Sequence, residues 1–297
     1  MVAGARAFSM KEFHTEVDIM LRLDHRNVLP LLDSHVRAKG AERYLIMPYL
    51  ENGSLDDRLF DRLSMLDDLA SGPVRLRIAS GIADGLAYLH AQRVFHRDLK
   101  PGNVLLDADL TPVIADFGAS RYVDPAAPPR EAAASASAAA AEVAGPAPVR
   151  LPGGTAYDTI HTTGTPGYAA PETALFFFSA KSDVYSLGVI LLQLATGLPA
   201  VVNAATNPKL LGDYLRGMGL ERAAAKGDVR VASWSSAAPG GEGDGGAGGA
   251  AVLSGLIALG VRCTEQELED RPSVAELQEE LAILMRLARS TYTAVLT

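Results

Sequence analysis

Apolar residues at Phe13, Val17, Met20 and Leu21 recur at helical spacing and predict an amphipathic helix over 10–23. Two short apolar runs follow at 28–32 and 44–47, with Pro30 and Pro48 at their edges, and they read as strands. Glu51-Asn52-Gly53-Ser54 reads as a turn. A second helix is predicted over 74–90, where Val74, Ile78, Ile82, Leu86 and Leu89 repeat. Residues 94–116 form a run of short strands and loops. Three more helices are predicted at 182–196, 253–263 and 273–288. The order is a small strand-containing part followed by a mainly helical one, which is an α+β pattern.

Two stretches break this pattern. Residues 124–154 are rich in Ala and Pro with few large apolar side chains, and 223–250 end in a run of glycines. Neither carries enough apolar surface to offset the entropy of ordering it, so both are expected to be flexible insertions. Gly243-Asp244-Gly245-Gly246-Ala247-Gly248 matches G-x-G-x-x-G by letter. A phosphate-binding loop of that kind needs a preceding strand, and only Pro239-Gly240-Gly241 stands there, so it reads as linker.

Composition narrows the classes. A chain of 297 residues that is 48% hydrophobic and 21% charged suits one large domain or two small lobes. A net charge of −8 argues against a nucleic-acid binder that works by neutralising phosphates. The single cysteine, Cys263, excludes an intrachain disulfide and fits a reducing compartment. No apolar core of signal-peptide length lies near the start, and the longest apolar stretches, at 189–194 and 250–261, are too short to cross a bilayer. No membrane contact is expected of this segment itself.

The chemistry concentrates in three motifs. His96-Arg97-Asp98-Leu99-Lys100-Pro101-Gly102-Asn103 comes first, Asp116-Phe117-Gly118 follows, and Ala170-Pro171-Glu172 closes the series. In order and spacing they resemble the catalytic loop, the metal-binding loop and the end of the activation segment of the eukaryotic-type protein kinase family. The resemblance runs from about Phe13 to Leu284. It implies a two-lobed kinase fold, with a partial small lobe and hinge over 1–50 and a large lobe over 51–297 carrying the two insertions. Lys100 and the Gly164-Thr165-Pro166-Gly167-Tyr168 run resemble the serine/threonine branch. Phe13, Glu16-Val17, His25-Arg26-Asn27-Val28, Asn52-Gly53-Ser54-Leu55 and Asp270-Arg271-Pro272-Ser273 resemble its receptor-like and tyrosine-kinase-like group.

The resemblance implies roles that phosphoryl transfer explains. This reaction needs positioning and charge neutralisation more than covalent help. Asp98 would accept the substrate hydroxyl's proton, Lys100 would reach the transferring phosphate, and Thr165 would brace both. Asn103 and Asp116 would offer magnesium hard oxygen ligands from two loops. Met47 would guard the back of an ATP pocket, while the backbone at Pro48 and Leu50 would hydrogen-bond the adenine; Pro48, lacking an N–H, would offer only its carbonyl. Asp183 would hold the catalytic loop's backbone, and Arg271 would pair with Glu172. His96 and Phe117, followed by Gly118, would stack between the lobes, so His96 is a packed residue rather than a base. Glu16 resembles the helix glutamate that pairs with a strand lysine. Arg97 implies regulation by a phosphate on the activation segment, with Thr159, Thr162 and Thr163 as candidates.

The family's Gly-rich loop and strand lysine are absent from this sequence, and Lys11 lies too close to Glu16 to replace the lysine. A truncated or misplaced start is the expectation. Three functions are compatible: a protein serine/threonine kinase using ATP and Mg2+, either cytoplasmic or the cytoplasmic domain of a larger membrane protein; a catalytically impaired kinase-fold binding module (a pseudokinase or truncated fragment); and a small-molecule phosphotransferase. Intact Asp98, Asn103 and Asp116 favour the first over the second, and the segment from Thr165 to Glu172 argues against the third.

Overall fold

The computed structural model describes residues 10–37, 42–60, 67–123, 164–175, 177–203, 205–227 and 245–293. The first helix, α1 (Met10–Met20), buries Phe13, Val17, Ile19 and Met20 on one face. It stops three residues before the predicted end, where Leu21, Arg22 and Leu23 continue as hydrogen-bonded turns. The strands that follow, β1 (Asp33–Val36) and β2 (Arg43–Ile46), form an antiparallel pair with Ser34 opposite Leu45. This corrects the first predicted strand. Residues 28–32 make only a single parallel bridge, Val28 to Ile114, and Val28 and Leu29 are buried in the helical part's core instead. An apolar run marks burial, and burial on both sides does not require a sheet.

The larger part begins with α2 (Leu55–Phe60) and α3 (Gly72–Ala91). Helix α3 starts with a proline in its first turn, where the missing N–H costs no hydrogen bond. Three short antiparallel pairs follow its end: β3 (Val94–Phe95) with β6 (Arg121–Tyr122), β4 (Val104–Leu106) with β5 (Pro112–Ile114), and, beyond the next long helix, β7 (Val201–Val202) with β8 (Lys209–Leu210). The long helix is α4 (Ala180–Thr196), and it is buried on every side from Ser182 to Thr196. A helix apolar all round belongs at the centre of a domain. Around it pack α3, α5 (Leu211–Met218), α7 (Gly245–Cys263) and α8 (Val274–Thr293), while α6 (Leu220–Ala224) packs against α5 and α7.

Glycine sets how closely these helices approach. A Cβ at Gly188 of α4 would lie 2.4 Å from the Cβ of Cys263 and 3.1 Å from the Gly260 carbonyl of α7. Near the start of α7, a Cβ at Gly248 would meet the Thr291 hydroxyl of α8. This corrects the expected insertion at 223–250. Its first two residues end α6, and 245–250 are the first turns of α7. The glycine run is therefore helical at its end, because small residues let α7 lie against α8. Residues 228–244 and the expected insertion at 124–154 lie outside the described residues. Among the described residues, no helix is long and apolar enough to cross a membrane.

Candidate active site

The loop between β3 and β4 carries most of the predicted chemistry, and its shape depends on one buried carboxylate. Asp183, in the first turn of α4, accepts the backbone N–H groups of His96 at 3.0 Å and Arg97 at 2.8 Å. Those bonds hold Arg97 at φ +71, a left-handed conformation that few side-chain-bearing residues adopt. His90, at the end of α3, adds a third contact, Nε2 to Asp183 Oδ2 at 2.9 Å. Burial would raise the Asp183 carboxyl, yet the bonds and positive charge from His90, with the Arg97 N–H, hold it below the usual carboxylate value. His90 was missed by sequence reasoning. It sits where the apolar repeat of α3 ends, and nothing local to it signals a partner 93 residues away.

The loop places Asp98, Lys100, Asn103 and Thr165 in one hydrogen-bonded group. Thr165 Oγ1 donates to Asp98 Oδ1 at 2.7 Å, and Lys100 Nζ lies 2.8 Å from Asp98 Oδ2 and 2.7 Å from Thr165 Oγ1. Asn103 Nδ2 donates to the Asp98 carbonyl at 2.8 Å. The amide nitrogen is thereby occupied and Asn103 Oδ1 is left for another partner. The β4–β5 hairpin then returns the chain to Asp116, which is exposed and held at φ +64. Its Oδ1 receives only a long contact from Gly118 N at 3.4 Å. Two oxygen donors, from Asn103 and Asp116, remain to a cation of hard-ligand preference, so the residues fit a divalent metal ion.

His96 is fully buried; its ring packs edge-on against Phe117 with centroids 5.5 Å apart. Its Nε2 donates to the Ala115 carbonyl at 3.0 Å, and its Nδ1 accepts from Asp98 N at 3.3 Å, which leaves no nitrogen free to act as a base. Glu16 of α1 is 8% exposed, and burial first, then the Asp116 charge, push its carboxyl up to about 7. Among the described residues no salt bridge involves Glu16. In the hinge stretch, Leu50 packs against Leu29, Val113 and Ala115, and Pro48 is half-buried. Met47 is 38% exposed and lies outside the buried apolar clusters.

Further along, Arg271 clamps Glu172 with two bonds of 2.8 and 2.9 Å, and its own side chain is fully buried. Ser182 Oγ also donates to Glu172 at 2.6 Å, and Lys181 Nζ donates to the Arg271 carbonyl. The segment from Thr165 to Glu172 is thus tied at its start to Asp98 and Lys100 and at its end, through Glu172, to both α4 and the turn before α8. Tyr168 beside it is pushed up to about 12, chiefly by burial. Thr159, Thr162 and Thr163 lie outside the described residues.

A loop that braces an aspartate with a lysine and a threonine, beside free oxygen donors and ahead of a clamped peptide-length segment, defines a phosphoryl-transfer class of protein. Residues 3–281 match the model of the protein kinase domain, and the chain belongs to that family. A probable LRR receptor-like serine/threonine-protein kinase of Arabidopsis thaliana is 39% identical over 194 residues, covering 63% of this chain and 17% of that protein. A G-type lectin S-receptor-like serine/threonine-protein kinase, SRK, of the same plant is 34% identical over 276 residues, 90% of this chain and 28% of that protein. Cysteine-rich receptor-like protein kinase 36, also of Arabidopsis thaliana, is 38% identical over 200 residues, 66% of this chain and 26% of its own length. The chain spans less than a third of the length of these relatives. Among the described residues its fold is α+β and mainly helical, consistent with a kinase large lobe and an incomplete small lobe.

Proposed function

We propose that this chain, as a single kinase domain, transfers the γ-phosphate of ATP to serine or threonine hydroxyls of proteins, within a receptor-like kinase whose kinase domain faces the cytoplasm. The observation that carries the proposal is the triangle of Asp98, Lys100 and Thr165. One carboxylate oxygen of Asp98 is bonded to Thr165 and the other to Lys100, so the group is oriented for an incoming hydroxyl. In this reading Asp98 accepts the proton that leaves the substrate hydroxyl, and Lys100 holds the transferring phosphate as a point charge. Asn103 and Asp116 hold Mg2+, which when bound neutralises charge on the phosphates. Pro48 and Leu50 offer their backbone to the adenine, with Met47 beside them. The clamp between Glu172 and Arg271 fixes the segment on which a protein substrate lies, and Arg97 receives a phosphate from Thr159, Thr162 or Thr163. No nucleic-acid or membrane partner is proposed for this segment.

The test is Asp98→Asn, which keeps the shape of the side chain and removes its basicity. Phosphate transfer to a generic Ser/Thr peptide should fall by roughly 10²–10⁴-fold with thermal melting unchanged. Near-parental turnover in the variant would refute the role given to Asp98. A second reading, a binding module that holds nucleotide without turning it over, is favoured by the lack of a described cationic partner for Glu16. Calorimetric titration with MgATP beside the transfer assay separates the two, since only the second reading has binding without transfer.

A further inference from the structure

Arg97 is held at two points by a single stretch of chain. Its backbone N–H is bound by Asp183 at 2.8 Å. Its guanidinium carbon lies 3.9 Å from the centre of the Phe178 ring, five residues earlier in sequence than that aspartate. Phe178 is itself fixed. It directly precedes Ser179, the N-cap of α4, whose hydroxyl accepts from Lys181 N and whose backbone N–H is bound in return by Ser182 Oγ. A capping box fixes the backbone at the start of a helix, so the chain from which the ring extends is held beside the loop.

A guanidinium stacked on a ring has one face covered and all five N–H groups still directed outward in its plane. One of these, Nε–H, is buried and has no acceptor. Among the described residues no carboxylate forms a salt bridge with Arg97. A second cation stands near: Arg121, whose Nη1 donates to the Gly118 and Ser120 carbonyls. Burial first, and then Arg121, lower the tendency of Arg97 to hold its charge, against the pull of Asp183. A buried donor without an acceptor beside two like charges is a costly arrangement unless an anion completes it.

We infer that Phe178 is a positioning residue for Arg97: the ring fixes the plane of the guanidinium so that its unpartnered N–H edge meets a phosphoryl group. This rests on the proposal that Arg97 receives a phosphate from the activation segment, and it adds which residue prepares Arg97 to do so. The chemistry is specific. Cation–π attraction needs the face of an aromatic ring, so a tyrosine serves in this position and a leucine of similar bulk does not.

The experiment titrates the whole chain with inorganic phosphate at constant ionic strength, reading both the rise in melting temperature and the Arg97 Nε–H signal by nitrogen–proton NMR. That signal is assigned by its loss in Arg97→Gln. In the parent, the ring current of Phe178 should displace the Nε–H resonance, and phosphate should move it further. Phe178→Leu should abolish the ring-current displacement and weaken phosphate binding about tenfold, while Phe178→Tyr stays within about twofold of the parent. Equal phosphate affinity in Phe178→Leu and the parent would overturn the inference. So would a Tyr variant as weak as the Leu variant, because side-chain bulk alone would then be at work. If Phe178→Leu fails to fold, Phe178→Met takes its place with the same expectation. Failure of the underlying reading looks different: the parent would not bind phosphate, or Arg97→Gln would bind it as the parent does.

Discussion

Glu16 is a buried carboxyl whose ionisation bears on the stability of this fold. The perturbation is Glu16→Gln, which keeps the shape of the side chain and cannot ionise. The folded protein holds the Glu16 carboxyl at about 7 against an ordinary value of 4.5, chiefly through burial and secondly through the neighbouring Asp116 charge. An acid with a raised folded-state value binds its proton more tightly when folded than when unfolded. Its contribution is therefore fully favourable below pH 4.5, declines as pH rises towards 7, and is at its lowest above that. The interval corresponds to about 3 kcal/mol, and partial solvent access to the group lowers it to about 2 kcal/mol. At pH 5 the Gln variant and the parent should have nearly equal stability. At pH 8 the Gln variant should be about 2 kcal/mol more stable, because it never carries the buried charge. Urea unfolding followed by far-ultraviolet circular dichroism at both pH values measures the gap. A gap of the same size at both pH values, or a Gln variant less stable at pH 8, would refute the argument.

Two further predictions test the scaffold. Arg271→Met removes the two Arg271 donors from Glu172, leaving only Ser182, and takes one donor each from the Glu265, Gln266 and Lys181 carbonyls. Breaking a buried pair on one side costs about 3–5 kcal/mol, so the urea midpoint should fall at an unchanged slope, and a loss under about 1 kcal/mol contradicts the role of the clamp. Burial would raise the Glu172 carboxyl, but bonds from Arg271 and Ser182 hold it below 4.5. The pair therefore contributes above that value and fades as pH falls through the folded-state value, so parent and Arg271→Met should converge at the acid end of a pH series. Gly188→Ala puts a methyl group 2.4 Å from the Cys263 Cβ and should cost about 1–3 kcal/mol by calorimetry, with an unchanged melt ruling out tight α4–α7 contact there.

Local chemistry was legible where it is local. The turn glycines, the apolar repeat of α3 and the run from His96 to Asn103 each sit in a few consecutive residues, and each predicts its own element or motif. The strand predicted at 28–32 failed because an apolar run records burial without recording the partner. Val28 and Leu29 meet Ile114, Val113 and Ala115, which are more than 80 residues away in the chain. The helix α7 was predicted eight residues short because its first turns are glycines, whose low helical preference is offset only by close contact with α8.

Residue order alone shows that Asp98, Lys100, Asn103 and Asp116 follow one another as phosphoryl transfer requires, and that Glu172 and Arg271 are both present. Folding in three dimensions is what sets Asp183 against the backbone of Arg97, joins His90 to it and lays Phe178 over the Arg97 guanidinium. The reason lies in α4. A helix buried on all sides brings its first turn against a loop some 85 residues earlier in the chain, and the side chains that meet there are chosen by helix packing rather than by sequence spacing.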